Sequence, residues 1–401
     1  MGRRDTFDVM KHLLIVLLIP MAATAQFHPD PSLLRTIDTN LRLADTQYRY
    51  LAAHTPGDVF PRTFDPKTGA WTTSGPGWWT SGFAPATMLR LYSANHDTAL
   101  YREALRRMRL LENEQYDRST HDLGFMMFCP FGEAYRMTGS TAYADILMNS
   151  ARSLGTRFSP ITGCIRSWDF APWRYPVIID NMMNLELLCW ASHHSGDTSF
   201  LHIAVTHAST TMRQHYRPDY SCYHVVEYDT ATGAVIDRKT AQGYSDSSSW
   251  ARGQAWGLYG YTMMYRWTHD RRYLSQAIHI ADFILAHIPA DRVPYWDYND
   301  PRIPDTYRDA SAAAVMASAL IELAGYAPPL PGRKYIKAAE TALRTLSSPA
   351  YRAPAGTNGG YLLMHSVGNL PVKAEIDVPL TYADYYFVEA MLRYRALKRG
   401  I

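Results

Sequence analysis

The sequence predicts an all-α fold, with twelve helices paired into six hairpins that close into a ring. Two observations predict it. Six times, a short stretch rich in Trp, Ser or Asp runs straight into a long apolar helix: WWTSGF (78–83), HDLGF (121–125), IIDNMMN (178–184), SDSSSWARGQAW (245–256), YRDASAA (307–313) and LTYADYY (380–386). Between these apolar helices lie six others that alternate charge with apolar stripes. Helices apolar on more than one face are buried on both sides, and striped helices cover them from outside. With every second helix facing inward, all six polar starts gather at one end of the ring.

The elements follow in order. An outer helix is expected over 32–52 and the first inner one over 80–93, after WWTSGF. The turn SANHDTALY leads into an outer helix over 98–114, striped as TALYREALRRMRLLEN. HDLGF opens the second inner helix, 122–138, and MTGSTAYAD turns into the outer helix 141–157. IIDNMMN opens the inner helix 181–195, and HSGDTSFL leads to the outer helix 198–215. YHVVEYD, a Thr-Gly turn and GAVIDRKTAQ (223–242) then read as a small hairpin. The inner helix 248–267 contains WGLYGYTMMYRW, and THDRRYL turns into the outer helix 272–288. AAAVMASALIELA marks the inner helix 310–326, followed by an outer helix over 333–347 and the last inner helix, 382–397. Inner-to-outer joins are short. Outer-to-inner joins are long and carry Trp, Pro and Tyr, so one face holds the elaborated loops where function resides.

In the 401 residues no Gly/Ser-rich or Pro-rich linker divides the chain. Residues 26–401 therefore read as a single domain, and residues 1–25 as a signal peptide. Lys11 precedes the apolar run 13–23, and Ala23-Thr24-Ala25 fits the small-x-small cleavage rule. Met10 is an alternative start. The run is too short to span a membrane, and no Cys follows it to carry a lipid. The expectation is an exported, periplasmic protein without stable membrane insertion. A formal charge of +3 gives no reason to expect nucleic acid. Of four cysteines, Cys129 and Cys189 read as small buried hydrophobes. A Cys164–Cys222 disulfide is permitted by an oxidising compartment but indicated by no spacing.

Asp at a helix start is first of all an N-cap, accepting a bond from an orphan N–H. Asp122 and Asp180 stand apart because their surroundings are apolar. Two carboxyls together in a dry pocket shift each other's titration, so that one holds a proton near neutral pH. That supplies an acid and an anion from one residue type. Trp residues at polar helix starts are suited to stacking on the C–H faces of sugar rings. Arg252, one turn into an inner helix and flanked by Trp250 and Trp256, needs an acceptor. Either a substrate carboxylate or a structural partner among Asp246, Asp309 and Glu186 would serve. His121 and His224 read first as structural histidines. No His spacing suits a catalytic metal, and no nucleotide-binding glycine motif opens a helix.

WWTSGF, HDLGF, YPVIIDNMMNLELL, QGYSDSSSWARGQAWGLYG and EIDVPLTYADYYFVEAMLRY together resemble the unsaturated glucuronyl hydrolases, glycoside hydrolase family 88. The resemblance covers almost the entire chain after the leader. It implies an (α/α)6 barrel that removes a 4,5-unsaturated uronic acid from the non-reducing end of lyase-generated oligosaccharides, with no metal or organic cofactor. It implies Asp180 as proton donor and general base, and Asp122 as its partner. It further implies that Trp79, His121, Trp168, His224, Thr240, Gln242, Arg252 and Trp256 line the uronate subsite, with Trp78 and Trp173 competing for the places of Trp79 and Trp168. Around 365–373 the chain departs from relatives that accept sulfated glycosaminoglycans. Their Ser-x-x-Ser-x-Lys spacing is absent, although Lys373 remains. The rival readings are an unsaturated rhamnogalacturonyl hydrolase, a sugar epimerase using His121 and His224 as proton shuttles, and a non-catalytic sugar-binding protein.

Overall fold

A computed structural model describes residues 27–397; the leader read at 1–25 lies outside them. The helices are α1 (Pro31–His54), α2 (Phe83–Asn95), α3 (Thr98–Leu111), α4 (Glu133–Thr138), α5 (Thr141–Gly155), α6 (Asn181–Ser195), α7 (Thr198–Gln214), α8 (Ala251–Thr268), α9 (Arg271–His287), α10 (Ala310–Tyr326), α11 (Pro329–Leu346) and α12 (Thr381–Ala396). A π-helical segment, Gly124–Gly132, runs directly into α4. The inner ring packs in the order α2, π segment with α4, α6, α8, α10, α12 and back to α2. The expected barrel of six hairpins is present. One apolar core runs from Leu33 to Leu397. No described helix is long and apolar enough to cross a membrane.

The turns repeat one device. After four of the inner helices the next residue adopts the left-handed conformation: His96, Gly139, Gly196 and His269. At three of these four turns an Asp follows and caps the outer helix: Asp97, Asp197 and Asp270 accept first-turn N–H groups.

The second inner helix differs from the expected single α-helix over 122–138. Pro130 lies inside it with no N–H to donate, and the wider π turn accommodates the ring. The backbone is also crowded there. A Cβ on Gly82 would lie 2.2 Å from the Phe125 carbonyl oxygen, and one on Gly124 2.5 Å from Asn184 Cα. Glycine lets the starts of three inner elements converge.

Among the described residues, every strand lies in an outer-to-inner join. β1 (Phe60–Asp65) pairs with β2 (Ala70–Ser74), β3 (Phe158–Ser159) with β4 (Cys164–Ile165), and β8 (Ser366–Asn369) with β9 (Ala374–Val378). The hairpin expected over 223–242 is β6 (Val225–Tyr228) and β7 (Val235–Lys239), and β5 (Pro176–Ile178) joins it as a third strand. Cys164 and Cys222 are both buried and form no disulfide.

Asp384, the sixth polar start, is structural. Its carboxylate accepts the Leu362 and Leu363 N–H groups at 2.8 and 2.9 Å, with the Tyr48 hydroxyl at 3.3 Å. Asp384→Ala leaves these buried donors unpaired and is expected to cost about 2–4 kcal/mol. Thermal melts should fall while the folded fraction keeps wild-type kinetics.

Candidate active site

The two aspartates that sit at N-cap positions among the polar helix starts, Asp309 and Asp180, behave differently. Asp309, like the turn aspartates, accepts a first-turn N–H, from Ser311. Asp180 sits at the N-cap of α6 with no capping bond, and its Oδ2 is buried without a hydrogen-bond partner among the described residues. Burial pushes its carboxyl up to about 7; Arg252 pulls it back and the Asp122 charge pushes it further. Asp122, just before the π segment, is likewise raised to about 7 by burial, against hydrogen bonds from Asn184 and Thr120. Both carboxyls line a cavity of about 540 Å3 at the loop end of the ring.

Of the other expected residues, Trp79, His121, Trp168 and Gln242 also line this cavity. Trp79 packs 4.9 Å from the Tyr382 ring. Trp168 stacks on Phe170 at 5.4 Å, edge-on to Trp173. Trp78 contributes to the wall as well, beneath the Arg62 guanidinium at 4.2 Å, whereas Trp173 does not reach it. His224 and Trp256 stand behind the wall. His224 Nε2 lies 3.6 Å from Asp180 Oδ2. The Trp256 indole, fully buried with its N–H unpartnered, favours the charged form of Asp180. Thr240 holds its own loop, its hydroxyl accepting the Gly243 N–H at 2.8 Å.

Arg252 resolves toward the structural alternative. One Nη pairs with Asp309 at 3.1 Å and also donates to the Val367 carbonyl, and the other donates to Gly368 at 2.7 Å. The guanidinium is buried and lies 4.4 Å from the Trp250 ring centroid. It ties α8 to β8, and Gln242 reaches the same Gly368 carbonyl at 3.1 Å. Arg252→Lys keeps the charge but loses the fork. We expect a lower melting temperature and a raised KM with little change in kcat, measured side by side on one preparation.

Two residues of the site escaped the sequence reading. Asn181 accepts the His121 Nδ1–H at 2.8 Å, and Asn184 donates to Asp122 at 3.3 Å and accepts the Phe125 N–H at 2.9 Å. Three apart in the first turns of α6, among Met182, Met183 and Leu185, they share one face, and that spacing was the available signal.

A second cavity, about 440 Å3, lies among the later turns of the inner helices. Its charges neutralise one another: Arg90 pairs with Glu389 at 3.0 Å, Arg266 with Glu186 at 2.6 Å and Arg393 with Glu322 at 2.6 Å.

No family model matches the sequence. The unsaturated glucuronyl hydrolase of Formosa agariphila is 46% identical over 320 residues, 79% of this chain and 79% of that protein. The chain belongs to the unsaturated glucuronyl hydrolases. The unsaturated glucuronyl hydrolase of a Bacillus species (strain GL1) is 32% identical over 358 residues, 86% of this chain and 92% of its own. Among solved structures, an unsaturated glucuronyl hydrolase specific for heparin superposes with a TM-score of 0.88 at 46% identity, over 91% of this chain and 98% of that one. In this family setting the chain is a glycoside hydrolase.

Proposed function

We propose that this unsaturated glucuronyl hydrolase removes the 4,5-unsaturated uronic acid that a polysaccharide lyase leaves at the non-reducing end, with Asp180 and Asp122 as the reacting pair. The observation that carries the assignment is the uncapped, buried Asp180 carboxyl facing the cavity that Asp122 shares. The substrate is a vinyl ether. A carboxyl proton goes to ring carbon C4, and water adds at C5 and gives up its own proton to a carboxylate. The resulting hemiketal opens and releases the aglycone. A carboxyl held up to about 7 supplies the proton at neutral pH, where an ordinary aspartate is ionised. Trp79 and Trp168 offer faces for the sugar rings.

Likeness to the heparin-specific relative favours a heparin-type disaccharide over a chondroitin-type one. The leader read at 1–25 favours action in the periplasm, and cell fractionation with N-terminal sequencing of the mature protein tests it. For the substrate, a panel of heparin-, chondroitin- and rhamnogalacturonan-derived unsaturated disaccharides is incubated with the protein, and loss of the C4=C5 ultraviolet absorbance is followed. Fastest loss is expected with the heparin type. Preference for the rhamnogalacturonan type would move the chain to the rival hydrolase, and no loss with any member would refute the activity.

A further inference from the structure

The two histidines beside the carboxyls are wired in opposite senses. The Asn181 amide is oriented by its NH2, which donates to the Ile165 carbonyl at 2.9 Å. Its oxygen therefore accepts the His121 Nδ1–H, and the neutral ring turns a bare Nε2 to Asp122 Oδ2 at 3.4 Å. His224 is the reverse. Its Nδ1 lies 3.1 Å from the Ala241 N–H and 3.2 Å from the Gln242 N–H. Two backbone donors require a lone pair on Nδ1, so the proton sits on Nε2.

Everything around His224 maintains that state. Its own carbonyl accepts the Ile179 N–H at 3.0 Å, tying it to the residue before Asp180. The ring is buried with its centroid 4.6 Å from that of Trp250. The donor loop is itself held, Thr240 N–H by Asp246 at 2.9 Å and Tyr244 N–H by Asp297 at 2.9 Å. Asp180 Oδ2, sealed from solvent, makes no hydrogen bond among the described residues; the approaching His224 Nε2–H stands 3.6 Å away, and the Trp256 indole also favours the charged carboxyl. The exposure that remains to Asp180 therefore lies at Oδ1, toward the cavity.

We propose that His224 is a positioning residue of fixed tautomer: the Ala241 and Gln242 N–H groups keep its Nε2–H turned on Asp180 Oδ2, so that the transferable proton occupies Oδ1 and the carboxylate left after transfer is received by a donor already in place. This rests on the assignment of Asp180 as the reacting acid. The 3.6 Å separation is long for a hydrogen bond, and it shortens as Asp180 becomes charged, as such contacts do when chemistry proceeds. His224 does not shuttle protons in this arrangement, which removes the paired-histidine device an epimerase needs. Burial pushes the imidazole down to about 3, so it stays neutral where the enzyme works. The other groups facing the pair are Asp122 at the start of the neighbouring inner element, Arg252 on α8, and His121 and His215, both neutral through burial.

The sign of the effect is opposite to that of lost structure. A donor to the carboxylate favours the charged form of Asp180. His224→Leu removes it, so the alkaline limb of the kcat/KM profile should move to higher pH by about one pH unit while kcat falls. His224→Gln, which keeps an N–H near that distance, should return the limb toward the wild-type position. A residue needed only for folding would lower the melting temperature and leave the limb unmoved, and that result overturns the proposal. The wild-type protein gives a second reading that needs no turnover. With 15N-labelled histidine, His224 should show a bare Nδ1 and a protonated Nε2 across about pH 5–8, the range in which an ordinary histidine titrates. A protonated Nδ1 or an imidazolium at His224 overturns it. Failure of every disaccharide would instead strike the proposed activity, with the tautomer reading standing apart.

Discussion

Asp180→Asn should fold, bind the unsaturated disaccharide and turn it over about 10²–10⁴-fold more slowly, the usual contribution of a general acid–base group. Size and cavity shape are kept, and only the transferable proton is lost. The same variant carries a stability signature. The folded carboxyl titrates near 7, above the ordinary aspartate value of 3.8. Stability from the protonated form is therefore fully present below about pH 4 and is lost as pH rises through about 7. Above pH 7 the wild-type protein holds a buried charge that Asn does not. At about 1.4 kcal/mol per pH unit, Asp180→Asn should gain up to about 4 kcal/mol over wild type at alkaline pH, with little gain near pH 4. Melting curves at the two pH values, beside initial rates, measure both halves. A mere cap predicts the reverse: a loss of about 1 kcal/mol with activity intact.

Asp122→Asn should be crippled for a different reason. Its charge is one of the forces raising Asp180. Without it the Asp180 carboxyl ionises at lower pH, and the alkaline limb of the kcat/KM profile moves down, opposite to the shift expected for His224→Leu. The acidic limb should move as well, because both limbs belong to the coupled pair. Turnover at neutral pH then falls on a scale comparable to Asp180→Asn, about 10²-fold or more. A profile merely scaled down, with both limbs in place, would show that the two carboxyls titrate independently.

The ring was legible because its punctuation is local. The expected helices 181–195 and 310–326 coincide with α6 and α10, and four of the five inner-to-outer turns carry a left-handed residue, three of them with a capping Asp after it. The π segment was not legible, since Pro130 alone does not say whether a helix bends, ends or widens. β5 was missed because it is three residues long and buried throughout, with no alternation to read. Within the site, Asp122 and Asp180 were legible from apolar context. Arg252 was left between two roles because its partners, Asp309 and the β8 carbonyls, are distant in sequence. The tautomers of His121 and His224 depend on backbone and amide geometry that no residue pattern encodes.

Closure of the ring seats the first helix against the last two. The Asp30 N–H donates to the Tyr394 hydroxyl at 2.7 Å across 364 positions, Asn40 meets Ser347 at 2.8 Å, and Asp30 pairs with Arg344 at 3.0 Å. Apart from α2 with α12 at this same seam, neighbouring pairs of the inner ring are far closer in sequence, so the seam carries the greatest loop-closure entropy and is expected to form late in folding. The architecture itself does not dictate where the seam falls. A circular permutant with a linker joining α12 to α1 and new termini between Gly196 and Asp197, a turn away from the loop face, would retain every wall of the cavity. It would move the late-forming seam to α6 and α7, leaving chemistry and folding order separable in one molecule.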